Sequence, residues 1–459
     1  MTSTYGVDQH KFECVSFGLL GISFHVLATP AILGVPVRAS LADIVLGFVF
    51  VIAGYRWLIK KQPLPKWNFS LGQMLWLGAM FVVLLASLFH GGIAGDEAAA
   101  WARMKVVGFV VLIGYFVLGG WFGASAEGRT AQCAIKGFIL AAWAHALYGL
   151  GQYMAYFFLD YKIPWYPRIA GLAQNPNSYG IMLAASLALY WGLSAWGRPL
   201  FNRRLEFWGT TVTLLAIYLS ASRSAYLGTF LAVIALMLST NLDDRKILRP
   251  AIAAGLLFAS VFIAVPAAPG IYYKIYDTVS EMTAQPGAET EQPGAEGEQP
   301  NSSIFGFMKK NYAMSRGYVD QGVTSRVKLY EQAVEMWIEQ PWFGAGLGTF
   351  WRVQQESTDK SAYVNHNTIL WLASETGIVG LLVFGGGVLF AGVVLARKAR
   401  TVGIAGGALG MLLVLVGASA GTEVMYQRYA WFFCGMALVL VLKPSASAHG
   451  AAGSVGPGQ

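Results

Sequence analysis

Charge is what this sequence most lacks: 12% of its 459 residues are Asp, Glu, Lys or Arg and 56% are hydrophobic, against roughly 25% charged in soluble domains. So few charged side chains cannot cover a water-facing surface, which excludes a single soluble core. Strands alternating polar and apolar residues are lacking too, which excludes a β-barrel. Cysteine is scarce. Cys14, Cys133 and Cys434 lie far apart, each in or beside an apolar run, and this predicts no disulfide, no thiolate catalysis and no metal site. There is no paired Asp-x-Asp and no His/Cys cluster at metal spacing outside the apolar runs. A P-loop is missing as well, so the expected chemistry needs no metal, no cofactor and no ATP. The first apolar run, Cys14 to about Pro36, lacks a basic leader and a small-residue cleavage site, and reads as a span instead of a signal peptide.

What the sequence has is apolar length. Runs of about 20 residues, enough to cross roughly 30 Å of hydrocarbon, recur along nearly the whole chain. The expected fold class is all-α, a polytopic integral membrane protein of about twelve transmembrane helices. The spans run roughly 14–36, 39–57, 70–90, 104–123, 132–158, 177–196, 206–221, 225–241, 250–267, 367–396, 403–423 and 428–443. The formal net charge of +8 sits mostly in short loops, where it sets orientation and does not call for nucleic acid. Arg56, Lys60, Lys61 and Lys66 follow the second span, Arg198, Arg203 and Arg204 the sixth, Arg245, Lys246 and Arg249 the eighth, and Arg397, Lys398 and Arg400 the tenth. Alternating spans put all four clusters on one face, and the positive-inside rule makes that face cytoplasmic.

This divides the chain into a bundle at 1–267 (about nine spans), a long non-cytoplasmic segment at 268–366, transmembrane helices at 367–443 and a disordered cytoplasmic tail at 444–459. Within the long segment, Gln285 to Pro300 is a near-tandem repeat of Pro, Gly, Glu and Gln that cannot bury apolar surface and reads as a disordered insert. From Ser325 to Gln340, Val327, Tyr330, Val334 and Trp337 share one face of a helix that Pro341 stops, so an amphipathic helix near the membrane surface is expected. The glycine-rich turn Gly344 to Gly348 follows it.

The candidate functional residues all fall on the face away from the cytoplasm. His366 stands where the polar segment meets the tenth span, and Asn365 or Asn367 is placed to cap that helix. The positive end of the helix dipole disfavours imidazolium there, which suits a neutral proton acceptor; the alternative is an interfacial anchor. Arg223, in Ser220 to Tyr226, has no acidic residue nearby in sequence. Its planar donor fork suits phosphate, and the competing role is snorkelling to lipid headgroups. Arg326 opens the amphipathic helix, where the dipole disfavours a cation. A bound anion would remove that conflict, and so would a salt bridge to Glu331. Arg168 precedes Asn175-Pro176-Asn177, with Pro176 in the first turn of a helix that the asparagines cap. Arg103, Lys105, Asp96, Glu97, Tyr426 and Arg428 read as interfacial anchors, and His25, His90 and His145, without a partner pattern, as structural.

Three stretches taken together carry a resemblance: Ser222-Arg-Ser-Ala-Tyr-Leu-Gly228; Arg326 to Phe350 with Trp337, Pro341 and spaced glycines; and Asn365-His-Asn-Thr-Ile-Leu370 followed by Glu375-Thr-Gly377 and Gly380. In this order they resemble the O-antigen ligase family, within a group that includes O-antigen polymerases and protein O-oligosaccharyltransferases. The resemblance implies an inner-membrane glycosyltransferase with a periplasmic active site. It would transfer a polysaccharide from undecaprenyl diphosphate to lipid A-core, without metal or ATP. His366 then matches the general base, and Arg223 and Arg326 the arginines that hold the diphosphate. Arg168, Asn177, Asn365, Asn367 and Tyr226 are the candidate substrate contacts beside them. A polymerase or a protein O-oligosaccharyltransferase differs only in acceptor. A transporter calls for ionisable residues at mid-span, and here the notable charges cluster at one face.

Overall fold

A computed structural model of the chain describes residues 18–28, 31–32, 35–36, 39–59, 70–92, 96–125, 129–159, 168–173, 175–194, 200–239, 326–350 and 366–442, with the single positions 15, 61 and 353. The expected span at 250–267, the repeat at 285–300, Asn365 and the tail at 444–459 lie outside these residues.

The apolar runs form helices, as their length and their Leu, Ala and Phe content dictate. In chain order these are α1 (Leu41–Leu58), α2 (Leu71–Gly92), α3 (Asp96–Ser125), α4 (Arg129–Leu159), α5 (Pro176–Ser194), α6 (Arg203–Leu219), α7 (Arg223–Ser239), α8 (326–339), α9 (Thr368–Ala399), α10 (Gly403–Ser419) and α11 (Arg428–Leu442). Among the described residues, four helical stretches are long and apolar enough to cross a membrane: Leu71–His90, Lys105–Ala124, Ala131–Ala155 and Thr368–Ala399. Leu41–Ile52, Arg223–Met237, Gly403–Ser419 and Arg428–Leu442 are shorter apolar helices.

Two expectations change at the amino end. Helix over 18–23 stops at Ser23, where a span was expected to run to about residue 36. The chain then doubles back in antiparallel pairs, Leu27 with Ser40 and Ala31 with Pro36. Ser23 hydroxyl donates to Leu20 O at 2.7 Å, and Pro30 and Pro36 supply no backbone donor to continue a helix. Cys133 is disulfide-bonded, against the expectation of no disulfide, whereas Cys434 is free and buried. Separation in sequence is a poor guide here because the 18–23 helix lies directly on α4: a side chain on Gly21 would meet Ala134 O, and one on Gly137 would meet Gly18 O.

Close backbone approach at glycine also joins α3 to α11. A side chain on Gly119 would meet Phe432 O and one on Gly435 would meet Phe116 O, the small-residue contact by which membrane helices gain van der Waals packing. Asp43 locks these elements to the hairpin. It accepts from Ser40 N at 2.7 Å, Tyr115 hydroxyl at 2.8 Å and Arg428 Nε at 2.6 Å.

The chain is most unusual in α9. Gly377 has φ 65 and ψ −168, which breaks the helix in two. The freed backbone groups pair with the turn at 341–346: Ile378 N donates to Pro341 O (2.9 Å), Val379 N to Trp342 O (3.2 Å), Ala345 N to Ser374 O (2.8 Å) and Gly346 N to Glu375 O (3.1 Å). Leu347 N donates to Ser87 O at 3.0 Å and ties the same turn to α2. Gly344 also has positive φ, at 71, and a side chain there would strike the backbone at Glu375–Gly377. Substituting Gly377 with Ala adds left-handed strain of about 1–3 kcal/mol and a clash with Trp342 O. Its thermal midpoint in detergent should fall by several degrees, with the loss accompanied by faster proteolysis at 341–348. An unchanged midpoint would contradict this account of the break.

Candidate functional site

The site assembles where several helix ends meet. Asn367 caps α9, its side chain accepting from Ile369 N and Leu370 N, both at 3.0 Å. Its amide donates to Ala420 O at 3.3 Å. Next to it, Thr368 hydroxyl donates to Thr422 O at 2.9 Å and accepts from Val424 N at 3.0 Å. The start of α9, with His366 just ahead of it, is thereby clamped to the connection between α10 and α11. Ser224, in the first turn of α7, lies against Gly421 on that same connection. Arg223 and His366 thus flank one turn at one end of the bundle.

Arg168 completes the neighbouring corner. Its Nε donates to Ser220 O at 2.9 Å and its Nη2 to Asn177 Oδ1 at 2.6 Å, so it binds the start of α5 to the turn between α6 and α7. Asn175 caps α5, accepting from Asn177 N at 2.9 Å and Ser178 N at 3.2 Å, as the Asn-Pro-Asn pattern predicts, and Asn177 serves Arg168 instead. Tyr226 is buried, and its hydroxyl donates to Tyr218 O at 2.5 Å; it braces this turn from within. The starts of α5, α7, α9 and α11 therefore gather around two adjoining turns, and their dipoles favour an anion.

The cations here divide into two kinds. Lys105 pairs with Glu423 at 3.1 Å and stands over the Trp371 ring, 4.2 Å from its centroid. Arg428 pairs with Asp43. Both were expected to be interfacial anchors, and both are part-buried ion pairs joining distant helices. Arg223 is exposed and Arg326 half-buried, and among the described residues neither has a carboxylate partner. The salt bridge from Arg326 to Glu331 does not form among them. Arg326 does open α8, as expected, although the buried seam of that helix is Leu329, Ala333 and Met336 against Phe350. Val327, expected on the apolar face, is 47% exposed. The seam is turned by about one residue, or roughly 100°, because Phe350 returns from the following turn to cover Leu329 and Met336.

His366 is held below the ordinary histidine range, first by burial and then by the charge of Arg326, with Glu423 pulling the other way. It is therefore neutral at pH 7 and able to accept a proton. Neither Glu423 nor the Thr368 clamp was singled out from sequence, since each works through a partner more than fifty positions away. His25 and His145 form a second missed pair. Leu172 N donates to His145 Nε2 at 2.7 Å, which leaves the proton on Nδ1 to be given to His25 Nδ1 at 3.3 Å, while His25 Nε2 donates to Phe138 O at 3.1 Å. This relay fixes the turn at Gly171–Ala173 that leads into α5. Among the described residues, no group of three or more His, Cys, Asp or Glu side chains converges.

The signs follow from these causes. Removing the Arg326 charge with Arg326→Gln should raise the midpoint pH of His366 modification by diethyl pyrocarbonate, read by mass spectrometry, and Glu423→Gln should lower it. Identical midpoints in wild type and both variants would mean that neither charge reaches the ring.

Residues 208–385 match a family model described as O-antigen ligase. The matched stretch runs from α6 to beyond the break in α9, taking in Arg223, Arg326 and His366 and leaving out Arg168, Asn177 and the 420–428 connection. No curated protein matches the chain. With its apolar helices and this match, the chain is a membrane protein carrying an O-antigen ligase family domain, a glycosyltransferase-like enzyme of the ligase and polymerase type.

Proposed function

We propose that this chain is an O-antigen ligase, which moves a polysaccharide from undecaprenyl diphosphate to lipid A-core at the periplasmic face of the inner membrane, within a fold of about twelve spans. The observation that carries this reading is that the charges of Arg326 and Glu423 both reach the half-buried His366, with Ser224, next to Arg223, against the same 420–424 connection that holds Asn367.

In this mechanism the acceptor hydroxyl attacks the anomeric carbon as neutral His366 takes its proton. The bond from that carbon to the diphosphate oxygen breaks, and the electron pair leaves with undecaprenyl diphosphate. Arg223 and Arg326 stabilise the charge that grows on the leaving group, as preorganised donors do in a site shielded from water. Arg168, already spent on Ser220 and Asn177, keeps the edge of the site in place, and Asn367 holds the helix end beside His366. Direct displacement inverts the anomeric configuration. The energy arrives in the sugar-diphosphate bond, so no nucleotide or metal step is invoked.

The test uses purified protein in proteoliposomes with an undecaprenyl-diphosphate-linked glycan and, separately, lipid A-core, a second lipid-linked glycan or a Ser/Thr peptide. Transfer to lipid A-core is expected, with inversion. Product with only the second or third acceptor would reassign the chain to the polymerases or the protein O-oligosaccharyltransferases. His366→Ala should cost about 10²–10⁴ in kcat, and Arg223→Ala and Arg326→Ala about 10²–10³ each. Wild-type turnover in His366→Ala would remove the histidine from the mechanism.

A further inference from the structure

The turn that joins α8 to the break in α9 leaves three large apolar side chains uncovered: Ile338 is 70% exposed, Trp342 69% and Phe343 52%. They are not part of the seam of α8, where Leu329, Ala333 and Met336 are already covered by Phe350. The backbone that carries them is pinned. Pro341 O accepts from Ile378 N, Trp342 O accepts from Val379 N, and Gly344 N donates to Gln340 O at 3.0 Å. The turn therefore cannot fold these side chains inward, and in water their surface would stay an uncompensated hydrophobic cost.

Two helices measure the level of this turn. Trp76 Nε1 of α2 donates to Val383 O of α9 at 2.8 Å, and Ser87 O of α2 accepts from Leu347 N beside the 345–374 contact. The two helices are thus antiparallel, and the start of α2 is at the end of α9 that carries Arg397 and Lys398. From Arg397 back to Ile378, α9 rises about 29 Å at 1.5 Å per residue. From Leu71 to Ser87, α2 rises about 24 Å on the same measure. Hydrocarbon is roughly 30 Å thick, so both helices put the turn close to its far boundary, the level at which tryptophan is enriched in membrane proteins. Just below this level Val82 of α2 and Leu382 of α9 are exposed, and the apolar outer surface of the spans continues onto the turn.

We propose that Ile338, Trp342 and Phe343 are seated in the bilayer leaflet on the His366 side, with the upper acyl chains of phospholipid as their partner. The segment before α9 then dips into the membrane at its tip, and the bilayer supports α8 at the end opposite Arg326. Glu335 and Glu331, one and two turns back along α8, are exposed carboxylates, unsuited to hydrocarbon, so the helix rises from lipid into water towards Arg326. Size argues against a second protein chain as the occupant: three side chains fall short of the roughly 800 Å² that each partner buries in a stable interface. This inference does not depend on the glycan-transfer reading.

The experiment places one nitroxide at a time, through Glu335→Cys, Trp342→Cys, Phe343→Cys and Val82→Cys in a Cys434→Ala background, in the full chain reconstituted into vesicles of phosphatidylethanolamine and phosphatidylglycerol. The ratio of oxygen to nickel-chelate collision rates rises with depth in hydrocarbon. It should be about threefold or more higher at 342 and 343 than at 335, and close to the value at the lipid-facing position 82. Ratios at 342 and 343 equal to that at 335 would put the tip in water and overturn the proposal. Shielding from both collision partners would overturn it as well, by covering the surface with protein: a second copy if the shielding fades as lipid is added in excess, the same chain if it does not. Should a cysteine variant fail to fold, the wild-type chain supplies a second measurement. A phospholipid with a photoreactive group high on its acyl chain should label the peptide containing 338–343, and labelling of α2 and α9 without that peptide would refute the seating.

Discussion

A helix broken inside a membrane protein must have its freed backbone groups satisfied by protein, because hydrocarbon offers no hydrogen-bonding partner. Gly377 creates that demand in α9, and the turn at 341–346 meets it with two carbonyls and two N–H groups. The rest of the site depends on this join. Arg326 is at the start of the helix that runs into the turn, and His366 is just ahead of the half-helix that runs into the break. Fixing the turn to Ser374–Val379 therefore sets the distance between the two. Glu375, 2% exposed, accepts from Trp371 Nε1 at 2.8 Å, and Trp371 in turn carries Lys105 on its face.

The electrostatic arrangement separates scaffold from site by whether a cation is paired. Lys105 with Glu423, and Arg428 with Asp43, link helices far apart in the chain, and each pair offsets the cost of removing its members from water. Among the described residues Arg223 and Arg326 have no carboxylate partner, at a place where helix N-termini favour negative charge. The proposed diphosphate fits this description, since it would present several oxygens to planar donors at once. A neutral imidazole is compatible with the same surroundings, because a field that favours an anion also discourages protonation of the ring.

Much of this was legible in the sequence, and the parts that were not share a cause. Helices α1 to α7 and α9 to α11 follow the apolar runs closely, since hydrocarbon length is written directly in composition. The caps at Asn175 and Asn367 and the start of α5 at Pro176 were also readable, being local. Readings failed wherever a distant partner decides. His25 and His145 looked unpartnered because the relay joins positions 120 apart, and the first span was overextended because Leu27 pairs with Ser40 and Ala31 with Pro36. The buried seam of α8 was misplaced by about a residue for the same reason, since Phe350 selects it from beyond the helix. Glu423 gave no signal at all: a single acidic residue in Ala-Gly-Thr-Glu-Val gains meaning only from Lys105 and His366.

The docking of 341–348 into the broken helix has a consequence for biogenesis. The turn is synthesised before α9, and the four groups it pairs with are not all present until Val379 has been added. Until then the glycines of the turn leave its backbone unconstrained and its N–H groups hydrated. The segment carrying Arg326 therefore acquires its final shape from a neighbour made after it, and the clamp of Thr368 onto 422–424 waits in turn for the two helices that flank that connection.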